Sequence, residues 1–191
     1  MHRRHRPSSV LCLSLALALL GCGEEKDPAK ESGKGDDHGH AHADHPSTPH
    51  EGVVAAFKDA DGKPAGFLEL KLHDDKGDLE LWLAADEKIA QPFDASLDTK
   101  VQVKFIDKAG KTVELAPRNR NQNEDEDGHP NVRDGKTNYF IFPGETGQDA
   151  AWLMGAEFQS MVTATFAVDG KTYTSQGFLL VPHTHAGGHA H

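Results

Sequence analysis

From Val53 onward the chain is written with a period of two. Leu68, Leu70 and Leu72 alternate with Glu69 and Lys71, Lys76-Gly77 supplies a turn, and Leu79, Leu81 and Leu83 alternate with Glu80 and Trp82. Successive side chains of a strand point to opposite faces, so this pattern predicts a hairpin with one apolar face and one wet face. Val101, Val103 and Phe105 alternate with Gln102 and Lys104, and after Ala109-Gly110 come Val113 and Leu115, which predicts a second hairpin. Val53 to Phe57 ends at Asp59-Ala60-Asp61-Gly62, and Tyr139 to Phe142 reads as a buried strand. Phe158, Val162, Ala164, Phe166 and Val168 share the face of a longer strand that turns at Asp169-Gly170 into Tyr173 to Val181. Asp149 to Phe158 has room for one helical turn.

About eight strands therefore fill residues 52–182, and no segment between them is long enough for a helical crossover, so the pairing is expected to be antiparallel. The spacing of turn signals favours a single immunoglobulin-like antiparallel β-sandwich over a barrel, with strand order left open. A domain of this size hides about two-thirds of its surface and is expected to stand without metal or disulfides. Trp82, on the polar phase of its strand, either marks a contact surface or packs in the second sheet of such a sandwich.

The N-terminal region follows different rules. Met1 to Arg6 reads MHRRHR, and the apolar run Val10 to Leu20 ends in Gly21, Cys22 and Gly23. Eleven helical residues rise about 16 Å, roughly half the hydrocarbon thickness of a bilayer, so the run is too short to span and reads as a signal peptide. Leu19-Leu20-Gly21-Cys22 resembles the lipobox of bacterial lipoproteins, with Leu three positions before the cysteine and a small residue directly before it. The middle Leu departs from the usual small residue. The resemblance covers only about the first 22 residues and implies cleavage after Gly21 and lipidation of Cys22. Several acyl chains make a stable membrane anchor where one does not. Gly23 is not the Asp that retains family members at the inner membrane, so the periplasmic face of an outer membrane is the implied address.

Loss of residues 1–21 removes Arg3, Arg4 and Arg6 and no acid, taking the formal charge from -10 to -13. Such acidity, without a basic patch, argues against nucleic acid as a partner. Of the two cysteines, Cys12 lies in the signal peptide and Cys22 at the lipobox, which rules out a disulfide scaffold.

Between Gly23 and Glu51 there is no Val, Ile, Leu, Met, Phe, Tyr or Trp. A segment of that composition cannot bury enough apolar surface to offset its ordering entropy, and residues 22–51 are expected to form a disordered tether, about 30 Å across as a coil.

Histidines crowd the two ends. Of 13, the tether carries His38, His40, His42, His45 and His50, and the tail after residue 182 carries His183, His185, His189 and His191. Alternate spacing with Gly and Ala between imidazoles lets a backbone wrap an ion, and neighbouring carboxylates add ligands and charge. Imidazole suits Zn, Ni and Cu(II); with three Met in the whole chain, a thioether site for Cu(I) is disfavoured. Without HExxH or CxxC, the expected role is labile binding for buffering or delivery rather than catalysis. In composition the ends resemble the His-rich segments of periplasmic zinc-, nickel- and copper-handling proteins, which would make metal-transport proteins the partners. Binding needs the neutral ring, so metal retention is expected to fall below about pH 6. The competing reading is a structural or protein-binding module whose histidines only keep the ends polar.

Ala116 to Lys136 is a long, almost wholly polar loop. Within it Asn123, Asp125, Asp127 and Gly128 resemble the start of a DxDxDG calcium loop, with Asp134 at the twelfth position. Asn replaces the first Asp, Asp replaces the usual Glu, and Pro130 stands where an apolar residue belongs. His129 in this loop and His73 at a strand end read first as loop and turn residues. No nucleophile elbow, phosphate loop or dinucleotide fingerprint occurs, and no enzyme activity is expected.

Overall fold

The computed structural model describes residues 48–118, 120–125, 128–144 and 147–183. Its strands are β1 (Val53–Asp59), β2 (Pro64–Leu72), β3 (Leu79–Ala84), β4 (Ala95–Ser96), β5 (Val101–Phe105), β6 (Thr112–Pro117), β7 (Lys136–Thr137), β8 (Tyr139–Phe142), β9 (Ser160–Val168), β10 (Lys171–Ser175) and β11 (Phe178–Leu180). A single turn of 3-10 helix at Ala151–Leu153 falls within the segment where a helical turn is expected.

All the strand pairings are antiparallel, and both hairpins form where the alternation places them. Leu72 faces Leu79, Leu70 faces Leu81 and Leu68 faces Leu83 across β2–β3. Val101 faces Leu115 and Val103 faces Val113 across β5–β6. The stretch from Tyr173 to Val181 breaks in two, β10 and β11, on either side of Gln176-Gly177.

The expected two-sheet sandwich is replaced by a closed barrel. The order β10-β1-β2-β3-β8-β6-β5-β9 returns to its start because β9 also pairs with β10. The long β9 makes this possible. One edge runs along β5 from Val162 to Phe166. The opposite edge takes β11 at Ser160–Val162 and β10 at Thr165–Val168. Closure removes the free edges that an open sheet must otherwise protect. An in-out alternation fits a sandwich and a barrel equally well; the difference lies in the pairing of β10 with β1, where Phe57 meets Ser175.

The apolar phase of every long strand points inward. Leu68, Leu70, Leu72, Leu81, Val103 and Phe140 are among the fully enclosed members of this core. Phe57, Phe166 and Tyr173 pack together toward one end of β9. Phe105, Trp152 and Phe158 do so toward the other. Gly66 permits the first of these clusters: a Cβ there would lie 2.6 Å from Phe57 Cζ and 2.5 Å from the Ala84 carbonyl oxygen.

Candidate functional site

The outward faces of β2, β3 and β8 are not wet. Register sets Glu69 opposite Trp82, and Trp82 opposite Tyr139, in one row across the three strands. A second row runs Lys71, Glu80, Ile141. Glu69, Glu80, Trp82 and Tyr139 are all buried. This corrects both the wet face expected of the hairpin and the placing of Trp82 in a second sheet. The cover comes from the chain just before β1 and from Arg118 just after β6.

Residues 48–52 fold over Glu69. Its Oε1 accepts the backbone N–H groups of His50 (3.1 Å) and Gly52 (2.8 Å), and its Oε2 lies 2.7 Å from His50 Nδ1. Burial by itself would raise the Glu69 pKa, but hydrogen bonds from His50, Thr48 and Gly52 with the His50 charge outweigh it and hold it below the ordinary carboxylate value. Gly52 has to be small: a Cβ would come within 2.8 Å of the Leu70 carbonyl oxygen and 2.9 Å of Glu69 Cγ. The His50 ring stacks on Trp82 with centroids 3.8 Å apart and planes 3° from parallel. Trp82 stacks in turn on Tyr139 at 4.7 Å, and the Arg118 guanidinium carbon lies 5.4 Å over the Tyr139 ring. Four flat groups from four parts of the chain thus form one pile on the barrel wall.

Glu80 anchors the other side. The Tyr139 hydroxyl donates to its Oε1 at 2.5 Å and Arg118 Nη1 donates to the same oxygen at 3.1 Å, while Oε2 lies 3.1 Å from His73 Nε2. Arg118 Nη1 also donates to the Tyr139 oxygen at 2.9 Å. Charged and polar partners surround this carboxylate, as burial requires. An open cleft of about 210 Å³ runs past Glu80 and Arg118 toward Phe142 and Pro143.

His183, the first residue of the tail, closes the arrangement. Its backbone N–H donates to the Leu72 carbonyl at 2.8 Å, it bridges in parallel to His73, and its Nε2 lies 3.0 Å from Glu51 Oε2. The segment leading into β1 and the segment leaving β11 therefore meet at the end of β2.

Of the histidines read as ligands, His50 and His183 are the two described; His38, His40, His42, His45, His185, His189 and His191 lie outside the described residues, as does Cys22. Among the described residues no group of three or more His, Cys, Asp or Glu is placed to hold a metal ion. In the loop read as a calcium site, Asn123 accepts the Val132 N–H at 2.5 Å and donates to the Val132 carbonyl at 3.4 Å, a side-chain clamp across the loop. Asp125 accepts the His129 N–H at 2.7 Å, Asp134 takes a positive φ of 50° in the turn to Gly135, and Asp127 lies outside the described residues. The structure thus gives Asn123 and Asp125 loop-closing bonds and brings His50, His73 and His183 to neighbouring carboxylates. Sequence reasoning missed Glu69, Glu80, Tyr139 and Arg118. Their one signal was two acids on the outer phase of the strongest hairpin, one of them directly opposite a Trp.

No protein-family model, curated protein or solved structure compared with this chain matches it.

Proposed function

We propose that the chain is a lipid-anchored envelope protein that binds divalent transition metal, Zn, Ni or Cu(II), through its His-rich ends, for buffering or delivery. Residues 1–21 act as the signal peptide, Cys22 carries the lipid, and the periplasmic face of an outer membrane is the address. Metal-transport proteins are the natural partners for such an activity.

The observation that supports the reading is the meeting of Glu51 and His183 at 3.0 Å. Imidazole-rich tracts flank these two residues in sequence, His38 to His50 before Glu51 and His183 to His191 from His183 onward.

Zinc calorimetry on the full chain, purified without a histidine tag, tests this. One variant carries His38, His40, His42 and His45 as Ala, a second carries His185, His189 and His191 as Ala, and a third combines both. The combined variant is expected to lose most of the binding, and each single set to lose part of it. A wild-type chain that gives no heat, or a combined variant that gives undiminished heat, defeats the proposal.

A second reading has its own observation. Met161 and Leu179 are cross-strand partners on the outer wall, 39% and 47% exposed, and Ile106, 52% exposed, donates its N–H to the Met161 carbonyl. An apolar cluster of this kind suits a protein-binding module of the envelope with incidental histidines. That reading predicts a defined cross-link from position 179 that persists in chelator and is lost when Met161→Lys is added beside it.

A further inference from the structure

Charge is spread unevenly round the barrel. The outward positions of β9 and β10 are Met161, Thr163, Thr165, Ala167, Thr172 and Thr174, without one acid in a chain that carries 30. Next to them β11 turns Leu179 outward, and β5 turns out Gln102 and Lys104. The acids on the adjoining strand and turn are engaged: Glu114 of β6 pairs with Lys100 at 3.7 Å, and Asp107 accepts the Ser160 hydroxyl and the Met161 N–H. Glu157 is exposed beyond the start of β9, off the wall itself. Toward the turn between β5 and β6 this wall becomes apolar. The Ile106 N–H bonds the Met161 carbonyl, Met161 faces Leu179 across β9–β11, and Val181 follows two positions on. With Met154 these make up the exposed large hydrophobic side chains among the described residues, so no other wall offers such a patch.

Lysines border the patch. Lys104 faces Thr163 across β5–β9, Lys108 Nζ lies 5.2 Å over the Phe158 ring, and Lys111 Nζ lies 4.4 Å over the Trp152 ring. No basic run in the sequence announces them; the turn gathers them. A lysine stem laid along an apolar ring with its ammonium free is the posture of a side chain at a membrane interface, where aliphatic groups enter and Trp and Lys mark the boundary. Protein-binding surfaces, by contrast, are depleted in lysine. We propose that the wall of β5, β9 and β11 docks on a bilayer of anionic phospholipid, with Ile106, Met161 and Leu179 entering the interface and Lys104, Lys108 and Lys111 meeting headgroup phosphates. Such a surface repels the rest of a chain whose net charge is -10, so charge also selects this wall as the one that lies down. The inference is independent of metal binding; of the function proposed above it uses only the membrane address.

A tryptophan reporter tests this in the full chain. Leu179→Trp, at an exposed position, is mixed with vesicles of phosphatidylglycerol or of phosphatidylcholine whose acyl chains carry bromine, a contact quencher of indole. Emission beyond that of the wild type reports position 179, and Lys88→Trp, in the exposed loop after β3, is the distant control. Strong quenching at 179 on phosphatidylglycerol, little on phosphatidylcholine and none at 88 is the expected result. Changing Lys104, Lys108 and Lys111 together to Gln should shift the docking equilibrium by on the order of 100-fold, about 5-fold for each lysine, and added salt should do the same to the unaltered wall. A chain that sediments with vesicles while position 179 stays unquenched would overturn the docking and leave the membrane address standing. Absence of any association would overturn both. Equal quenching on the two lipids would overturn the part given to the lysines, and an unquenched position 179 that instead cross-links to a protein would hand the wall to a protein partner.

Discussion

Glu80 shows what a charge inside a barrel wall requires. It is 4% exposed and collects the Tyr139 hydroxyl, the Arg118 guanidinium and the His73 ring. Removing one member of a buried charged set strands the others, which costs about 3–5 kcal/mol. Glu80→Ala is therefore expected to lower the unfolding free energy in urea by about 3 kcal/mol, and Tyr139→Phe by about 1.5–3 kcal/mol, since its hydroxyl bonds two charged groups, Glu80 and Arg118. Asp107 gives a pH-dependent counterpart. The Ser160 hydroxyl and the Met161 N–H (3.3 Å) bond its carboxylate and hold its pKa below the ordinary 3.8. A group whose pKa is lowered by folding stabilises above its unfolded value and loses that contribution as pH falls through the folded one. The urea midpoint of Asp107→Asn should thus lie below wild type at neutral pH, and the gap should close as pH drops beneath 3.8. A gap that widens in acid would contradict the assignment. Neither Glu69 nor Glu80 announces its burial in the sequence. Alternation places them on an outer face, but what covers that face is a segment entering from His50 and a loop residue, Arg118, contacts no periodic pattern reports.

Hairpins are the elements that the sequence specifies most fully. Lys76-Gly77 and the facing leucines leave β2 and β3 one sensible register, since a one-residue slip would turn every Leu outward. Gly77 has φ +73°, and a Cβ there would lie 2.2 Å from the Ala150 carbonyl oxygen. Gly62 has φ +79° with nothing within 4 Å. Gly62→Ala is expected to cost about 1–2 kcal/mol, the left-handed backbone alone, and Gly77→Ala about 3 kcal/mol or more, because it also collides with backbone. Denaturant melts of the two variants check the ordering; equal losses would mean that the Ala150 contact is unimportant. Barrel closure, by contrast, was not legible. It depends on β10 leaving β9 partway and joining β1 more than a hundred residues earlier, with β11 taking over beside Ser160. Such long-range pairing leaves no trace in local alternation.

At the scale of the whole molecule, a closed β-barrel with an enclosed apolar core needs no ion to stand, so chelator should leave its thermal midpoint unmoved. Metal held by the His-rich ends alone binds folded and unfolded chains alike, so added zinc should leave that midpoint unmoved too. The division of labour was partly legible: the His-rich ends and the β domain separate cleanly by composition, while the meeting of Glu51 with His183 depended on the fold. The most direct measurement is equilibrium dialysis of the full, untagged chain against micromolar zinc at neutral pH, followed by elemental analysis. More than one zinc per chain is the predicted result; a chain that emerges with none would contradict the account.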